Sequence, residues 1–153
     1  MSDRFYIDCE FDGHGGPLLS IAVIHEDGAS MYLRTDAVAL DPWVIENVVP
    51  HIVCPGAPTP SRVPVAHHIG GLLRGFIGGA GSPVIIADSP VDIGRFCAAV
   101  STSYEGNWTW VNNPLMTFEA HNIDIYPTDL PGAVRHNAWW DAMALREKLR
   151  AGD

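Results

Sequence analysis

Apolar and polar side chains alternate at the start of the chain. Over residues 5–11 every odd-numbered residue is apolar, whereas the even-numbered residues include two acids. This period of two predicts a β-strand. Turn-forming residues at 12–17 and 26–28 separate two further apolar runs, 18–25 and 30–33, which predict a second and a third strand. The chain is therefore expected to open with a three-stranded antiparallel meander.

Apolar residues at helical spacing and one uninterrupted apolar run mark out the rest of the chain. The helical spacing predicts four helices, at residues 42–49, 65–77, 90–100 and 137–149. The run at 83–87 predicts a strand that is buried on both faces. Weaker patterns predict strands at 108–111 and 116–121, and four prolines predict a loop over 55–64. This order of elements predicts an α/β fold with a mixed central sheet flanked by helices.

The composition indicates one globular domain, spanning residues 1–153. Apolar residues make up 47% of the chain and charged residues 18%, which is neither a disordered nor a fibrous composition. The first dozen residues carry no signal-peptide pattern, and no apolar stretch approaches the ~18 residues that a membrane span needs. We therefore expect a cytoplasmic protein that does not bind a membrane.

The formal net charge of −9 restricts the partners that the protein can bind. Phosphate contacts normally supply much of the affinity for nucleic acid, so this charge argues against a polyanionic partner. An enzyme that gathers carboxylates to hold cations is an exception, because bound ions reverse the local field. A nucleic-acid substrate would have to be attracted by such ions and by a few local arginines.

Two acids, Asp8 and Glu10, lie in the middle of the first predicted strand. Residues two apart on a strand project to the same face, so the two carboxylates are expected roughly 6–7 Å apart. In a central strand such a pair is costly unless a cation neutralises it. In an edge strand whose polar face meets water, the pair has no special meaning. The spacing alone leaves both readings open.

A second group of polar residues surrounds the start of the last helix. Asp141 is expected beside the apolar stripe that includes Ala142 and Leu145, where a carboxylate needs a partner. His136 precedes the helix and lies on a loop, which suits a mobile general base. Alternatively, His136 and Asn137 only cap the helix, and Asp141 is solvated.

The pattern Asp8-x-Glu10, taken together with His136-x-x-x-x-Asp141, resembles that of the DEDDh exonucleases, the family of ribonuclease T, oligoribonuclease and the proofreading exonucleases. These proteins carry Asp-x-Glu on the first strand, an Asp at the start of a middle helix, and His-x-x-x-x-Asp near the C-terminus. The resemblance extends from Asp8 to about Leu149, and the single-domain form is most similar to small bacterial exoribonucleases of this family. It implies a ribonuclease H-like fold.

The middle motif departs from the family pattern. The family often has His-Asn-x-x-Phe-Asp, whereas this chain has Ala87-Asp88-Ser89-Pro90-Val91-Asp92. An alignment without gaps places Asp92 at the metal-ligand position and Asp88 at the position of the asparagine. Asp88 is the alternative ligand, or a residue that positions one. The absent His-Asn leaves the substrate contact at this point open.

The resemblance implies a metal-dependent 3′–5′ exonuclease that releases nucleoside monophosphates, and we expect an exoribonuclease. The cofactors would be two Mg²⁺ or Mn²⁺ ions about 3.5–4 Å apart, which is the spacing of two-metal sites. The residues expected to hold them are Asp8, Glu10, Asp92 and Asp141, and hard cations prefer such oxygen ligands.

The resemblance also implies roles for residues beside the ions. His136 is expected to be the general base, and Phe11 and Asn137 are expected to contact the substrate. The expected partner is the 3′ end of single-stranded RNA, or of DNA. The sequence leaves open whether the chain forms a homodimer.

Two other functions compete with this hypothesis. The altered middle motif and the acidic charge favour a catalytically silent module on the same fold that binds nucleic acid or protein. The complete set of four acids and a histidine argues against it. A hydrolase of small phosphoesters is the third hypothesis, and it would act on free nucleotides but not on oligomers.

Overall fold

Six strands and four helices form in the described part of the chain, which comprises residues 3–64, 68–78, 81–102 and 116–152 of a computed structural model. The strands are β1 (Arg4–Phe11), β2 (Leu18–His25), β3 (Ser30–Thr35), β4 (Ser61–Val63), β5 (Val84–Ala87) and β6 (Thr117–Ala120). The helices are α1 (Pro42–Asn47), α2 (His68–Ile77), α3 (Pro90–Val100) and α4 (Ala138–Ala151), and a 3₁₀ turn (Val49–His51) follows α1.

The strands form one mixed sheet in the order β4-β3-β2-β1-β5-β6. β1, β2 and β3 pair in antiparallel fashion, which confirms the predicted meander. β5 is parallel to β1, and β6 is parallel to β5. The predicted α/β class with a mixed sheet is therefore confirmed, and β1 lies in the interior of the sheet.

The predicted loop over residues 55–64 is wrong at its end, because β4 lies inside it. β4 pairs in parallel with the last residues of β3 at the edge of the sheet. Its three residues stand between Pro60 and Pro64. An edge strand needs pairing on one side only, so this short stretch between prolines is compatible with a strand. The density of prolines conceals it in the sequence.

Helices cover both faces of the sheet, because side chains of β1 alternate between two apolar layers. Phe5 and Ile7 pack with the buried residues of α2 and α3 in one cluster. Tyr6 packs with residues of α4, such as Leu145, in the other. The face of β1 that the alternation predicts to be polar therefore packs against α4 at Tyr6.

The helix predicted over 42–49 ends two residues early, at Asn47, and the remaining predictions agree with the structure where it is described. β6 confirms the strand expected over 116–121, and α3 and α4 begin within one residue of the expected positions. The strand predicted at 108–111 and the first residues of the helix predicted at 65–77 lie outside the described residues. No helix in the described ranges is long and apolar enough to cross a membrane.

Candidate functional site

Three buried acids converge at one end of β1. Asp8 projects from β1, Asp92 from the first turn of α3 and Asp141 from the first turn of α4, and their exposed fractions are 8%, 7% and 6%. Glu10 follows Asp8 on the same face of β1 and is partly buried. Because β1 is an interior strand, the alternative of an edge strand whose acids face water is wrong.

Asp92 is oriented by the way in which α3 begins. Ser89 caps the helix, since its Oγ accepts a hydrogen bond of 3.1 Å from the Val91 N–H. The Asp92 carboxylate is therefore not needed as the cap, and its Oδ1 accepts the Cys9 N–H at 3.1 Å. β1 pairs with β5 only as far as Tyr6, so this bond gives a partner to a backbone donor beyond the paired region.

Asp141 is held by two hydrogen bonds, one to each oxygen. Its Oδ1 accepts the Tyr126 hydroxyl at 2.7 Å, and its Oδ2 accepts the backbone N–H of His136 at 3.1 Å. Each oxygen of a carboxylate has two lone pairs, so both can still bind a cation. The alternative in which Asp141 is solvated is wrong, because the side chain is buried and fully oriented.

Two groups of potential ligand atoms include an acid of the Asp8-Cys9-Glu10 segment. One atom each from Asp8, Asp88 and Asp92 lie within 4.8 Å of one another. One atom each from Glu10, His136 and Asp141 do the same. The structure thus brings together all the acids and the histidine that the sequence singles out. Both Asp88 and Asp92 are beside Asp8, and Asp92 is the more deeply buried.

One carboxylate oxygen in this cluster indicates that the site could bind a cation. Oδ2 of Asp8 is buried and has no hydrogen-bond partner among the described residues. An unpaired buried carboxylate oxygen is strongly unfavourable unless a cation or a proton compensates it. The surrounding donors are carboxylate oxygens, which hard divalent cations prefer. The residues present therefore fit Mg²⁺ or Mn²⁺.

Burial and mutual repulsion raise the pKa values of these acids, so that without a cation they favour their protonated forms. Burial raises the pKa of Asp8 well above its ordinary value, and the carboxylates of Asp141 and Asp92 raise it further. Burial and the same two neighbours raise the pKa of Glu10 to about 9. Burial, followed by the Asp88 carboxylate, raises the pKa of Asp92 to about 7, and burial raises that of Asp141 to about 7. A bound cation would favour the charged forms instead.

His136 lies between α4 and the cleft in an unusual backbone conformation. Its φ of 67° is in the left-handed region, which is uncommon for a residue with a side chain. The imidazole ring contacts Trp43 edge to face, with ring centroids 5.4 Å apart. Burial lowers the pKa of His136, and the positive charge of Arg135 lowers it further. The ring is therefore neutral near pH 7, as a proton acceptor must be.

An open cleft of about 680 Å³ gives access to these groups. Phe11, one of the two residues predicted to contact substrate, lines the cleft, and the Arg95 guanidinium lies 4.2 Å from its ring centroid. Asn137, the other one, does not line the cleft. It is fully buried and caps α4, accepting the Trp140 N–H at 2.9 Å and donating to the carbonyl of His51 at 2.8 Å.

The cleft wall also contains residues that the sequence analysis does not predict, among them Trp43, Tyr126 and Arg135. Trp43 is 56% exposed, and its place in the first turn of α1 gives no indication that it faces a cleft. Tyr126 lies in a segment without helical or strand periodicity. Arg135 could have been predicted from the sequence, because it is a cation directly before His136 in an acidic chain.

No family model matches the chain, and no curated protein matches it either. The function is therefore inferred from the residues and from their arrangement.

Proposed function

We propose that the protein is a metal-dependent 3′–5′ exonuclease that hydrolyses single-stranded nucleic acid, RNA above all, to nucleoside monophosphates. The observation that carries the proposal is the pair of ligand groups that include Asp8 and Glu10 of the same strand, with the buried, unpartnered Asp8 Oδ2 in one of them. Two cation sites built mainly from carboxylates are the arrangement that two-metal phosphodiester hydrolysis uses.

The architecture supports the same proposal. The three-stranded antiparallel meander leads into parallel strands, with helices on both faces of the sheet. This arrangement agrees with the ribonuclease H-like fold that the resemblance to DEDDh exonucleases implies. The acids are contributed by β1 and by the first turns of α3 and α4, in the order in which the family carries them.

The ligand roles follow from burial and position. Asp8, Glu10, Asp92 and Asp141 would hold the two ions, and Asp88 is placed to bind or to position a ligand beside Asp8. When bound, the ions supply Lewis acidity, which activates water for attack and stabilises the charge that develops on the leaving 3′-oxygen.

The protein's own contribution to proton transfer is assigned to His136. Its lowered pKa keeps the imidazole neutral at pH 7, so the ring can accept a proton from the attacking water. Its backbone N–H is already used by Asp141, which fixes the main chain and leaves the ring nitrogens for the cleft. Asp141 thereby orients the base as well as offering ligand atoms.

The deciding experiment compares a 5′-labelled single-stranded RNA with the matching DNA, each with Mn²⁺, Mg²⁺ or EDTA. We expect a ladder of products that shorten from the 3′ end, mononucleotides as the released species, and no reaction in EDTA. Oligomer binding without cleavage would support the silent binding module instead. Turnover of free nucleotides without cleavage of either oligomer would support a small-phosphoester hydrolase.

A further inference from the structure

Tyr126 and Arg135 form a stacked pair in the wall of the cleft. The Arg135 guanidinium lies over the Tyr126 ring, 4.7 Å from its centroid, and both residues line the cleft. The hydroxyl of the same tyrosine donates to Asp141 Oδ1 at 2.7 Å. One aromatic ring therefore connects a metal-ligand candidate with a surface cation.

The charge of the cleft gives Arg135 a particular importance. Among the described residues that line the cleft, Arg135 is the one lysine or arginine. The lining acids are Asp8, Glu10, Asp41, Asp88, Asp92, Asp124 and Asp141. No ion pair joins Arg135 to a carboxylate of the described chain segments. Its positive charge is thus left to interact with an anion that enters the cleft.

Stacking on Tyr126 orients the Arg135 guanidinium so that it can bind phosphate. The Tyr126 ring covers one face of the planar group, and the N–H donors project from its edge in the plane. These donors match two oxygens of a phosphate, and the stack restricts the side chain before the ligand arrives. A free lysine in this position would have neither property.

We infer that the stacked pair has two roles in the cleavage of a single-stranded nucleic acid, an inference that rests on the proposed function. Arg135 binds a phosphate of the chain other than the one being cleaved. Tyr126 is a positioning residue, which holds Asp141 in the orientation that binds the cation. The two roles are separable, because Tyr126→Phe removes the hydroxyl and keeps the ring under Arg135.

The Arg135 role is tested by KM values for an oligonucleotide and for thymidine 5′-monophosphate p-nitrophenyl ester, which has a single phosphodiester. Arg135→Ala should raise the KM of the oligonucleotide about 10-fold or more and leave that of the ester unchanged. The slope of log affinity against log salt should fall by about 0.7, the value for one phosphate contact on a single strand. Arg62→Ala is the matched control, since it removes an exposed arginine on β4.

The Tyr126 role is tested by calorimetric titration with Mn²⁺, which needs no turnover. Tyr126→Phe should weaken Mn²⁺ binding about 10- to 100-fold, as loss of a ligand's hydrogen-bond partner typically does. At saturating Mn²⁺ its oligonucleotide KM should equal that of the parent. Tyr32→Phe is the control, because its hydroxyl donates to the backbone carbonyl of Ile52 instead of to a carboxylate.

Several results would overturn the inference. An Arg135→Ala variant with equal KM changes for both substrates, or with the same effect as Arg62→Ala, contradicts the phosphate role. A Tyr126→Phe variant that loses stability as Tyr32→Phe does, with unaltered Mn²⁺ affinity, contradicts the positioning role.

Failure of the proposed function itself would look different. In that case the parent would cleave neither substrate, and anisotropy of the labelled oligonucleotide in Mn²⁺ becomes the measurement. Weaker binding by Arg135→Ala than by Arg62→Ala would still support the phosphate role. Equal binding by these two variants and the parent, or no binding by the parent, would overturn it.

Discussion

The backbone N–H of His136 donates to Oδ2 of Asp141 at 3.1 Å, so the candidate base and a candidate metal ligand are joined by a single hydrogen bond. His136 makes this bond from a left-handed backbone conformation, with φ at 67°. Such a conformation costs roughly 1–2 kcal/mol in a residue with a side chain and is typically retained at functional sites. The hydrogen bond and the position of the imidazole therefore depend on the same backbone.

Replacement of His136 by alanine should show whether this residue is a general base or a metal ligand. Loss of a positioned base typically costs 10²–10⁴-fold in rate, whereas loss of a ligand also weakens metal binding. We expect His136→Ala to be slow in single-turnover experiments and to bind Mn²⁺ as the parent does. The parent rate should fall as pH decreases through the pKa of His136, which lies below its ordinary value, because only the neutral ring accepts a proton. A variant whose defect is confined to Mn²⁺ affinity would make His136 a ligand.

The two acids of the middle motif should differ in importance. Asp92 is buried and fixed by the Cys9 N–H, whereas Asp88 is less buried. Asp92→Asn keeps the hydrogen-bonding Oδ1 and removes the charge, so it should abolish turnover without loss of the fold. Asp88→Asn should retain measurable turnover. Parallel Mn²⁺ titrations of the two variants decide the assignment, and an inactive Asp88→Asn beside an active Asp92→Asn would reverse it.

The stability of the metal-free protein should decrease as pH rises. The folded-state pKa is about 7 for Asp92 and Asp141 and about 9 for Glu10, above the ordinary values of 3.8 and 4.5. The folded protein therefore holds protons that the unfolded chain releases, and the stabilisation is lost as pH rises through these values. Urea unfolding in EDTA should give midpoints that fall between pH 5 and pH 9. Saturating Mn²⁺ should remove most of this decline, and a midpoint in EDTA that increases with pH would contradict the account.

Asn137 should matter for stability and not for substrate binding. Its side chain caps α4 and donates to the His51 carbonyl from a fully buried position. Asn137→Ala should destabilise the protein by about 1–3 kcal/mol, the range for a lost cap and an unsatisfied buried group. The oligonucleotide KM of the folded fraction should be unchanged. A raised KM in a variant of normal stability would instead support the substrate contact that the family resemblance implies for Asn137.

The candidate ligands could be predicted because local periodicity determines where neighbouring side chains point. The period of two on β1 is enough to place Asp8 and Glu10 on one face, and helical spacing is enough to place Asp141 beside an apolar stripe. Periodicity does not determine which strand is interior. That depends on the pairing of β1 with β5, which is distant in sequence, so the sequence alone leaves the alternative of an exposed edge strand open.

The other parts of the site depend on tertiary contacts that leave no pattern in the sequence. Tyr126 is separated from Asp141 by a segment without helix or strand, and a tertiary hydrogen bond brings the two side chains together. β4 is a strand because β3 offers it an edge, although prolines flank it on both sides. The burial of Asn137 likewise depends on the turn after α1, whose backbone carbonyls accept its amide hydrogens.

The central claim is that the buried acids form a two-cation site for phosphodiester hydrolysis, and Asp8→Ala tests it most directly. Asp8 belongs to the ligand group with Asp92, and its buried Oδ2 has no hydrogen-bond partner in the described structure. The measurement is Mn²⁺ binding by calorimetry on the parent and on Asp8→Ala, with turnover of the labelled RNA in the same samples. We predict two ions bound to the parent, and the loss of at least one ion and of turnover in the variant. The variant should be folded and about as stable as the parent in EDTA, because the change also removes the buried oxygen that has no hydrogen-bond partner. Near-normal turnover by a folded Asp8→Ala protein, or a parent that binds no Mn²⁺, would contradict the account.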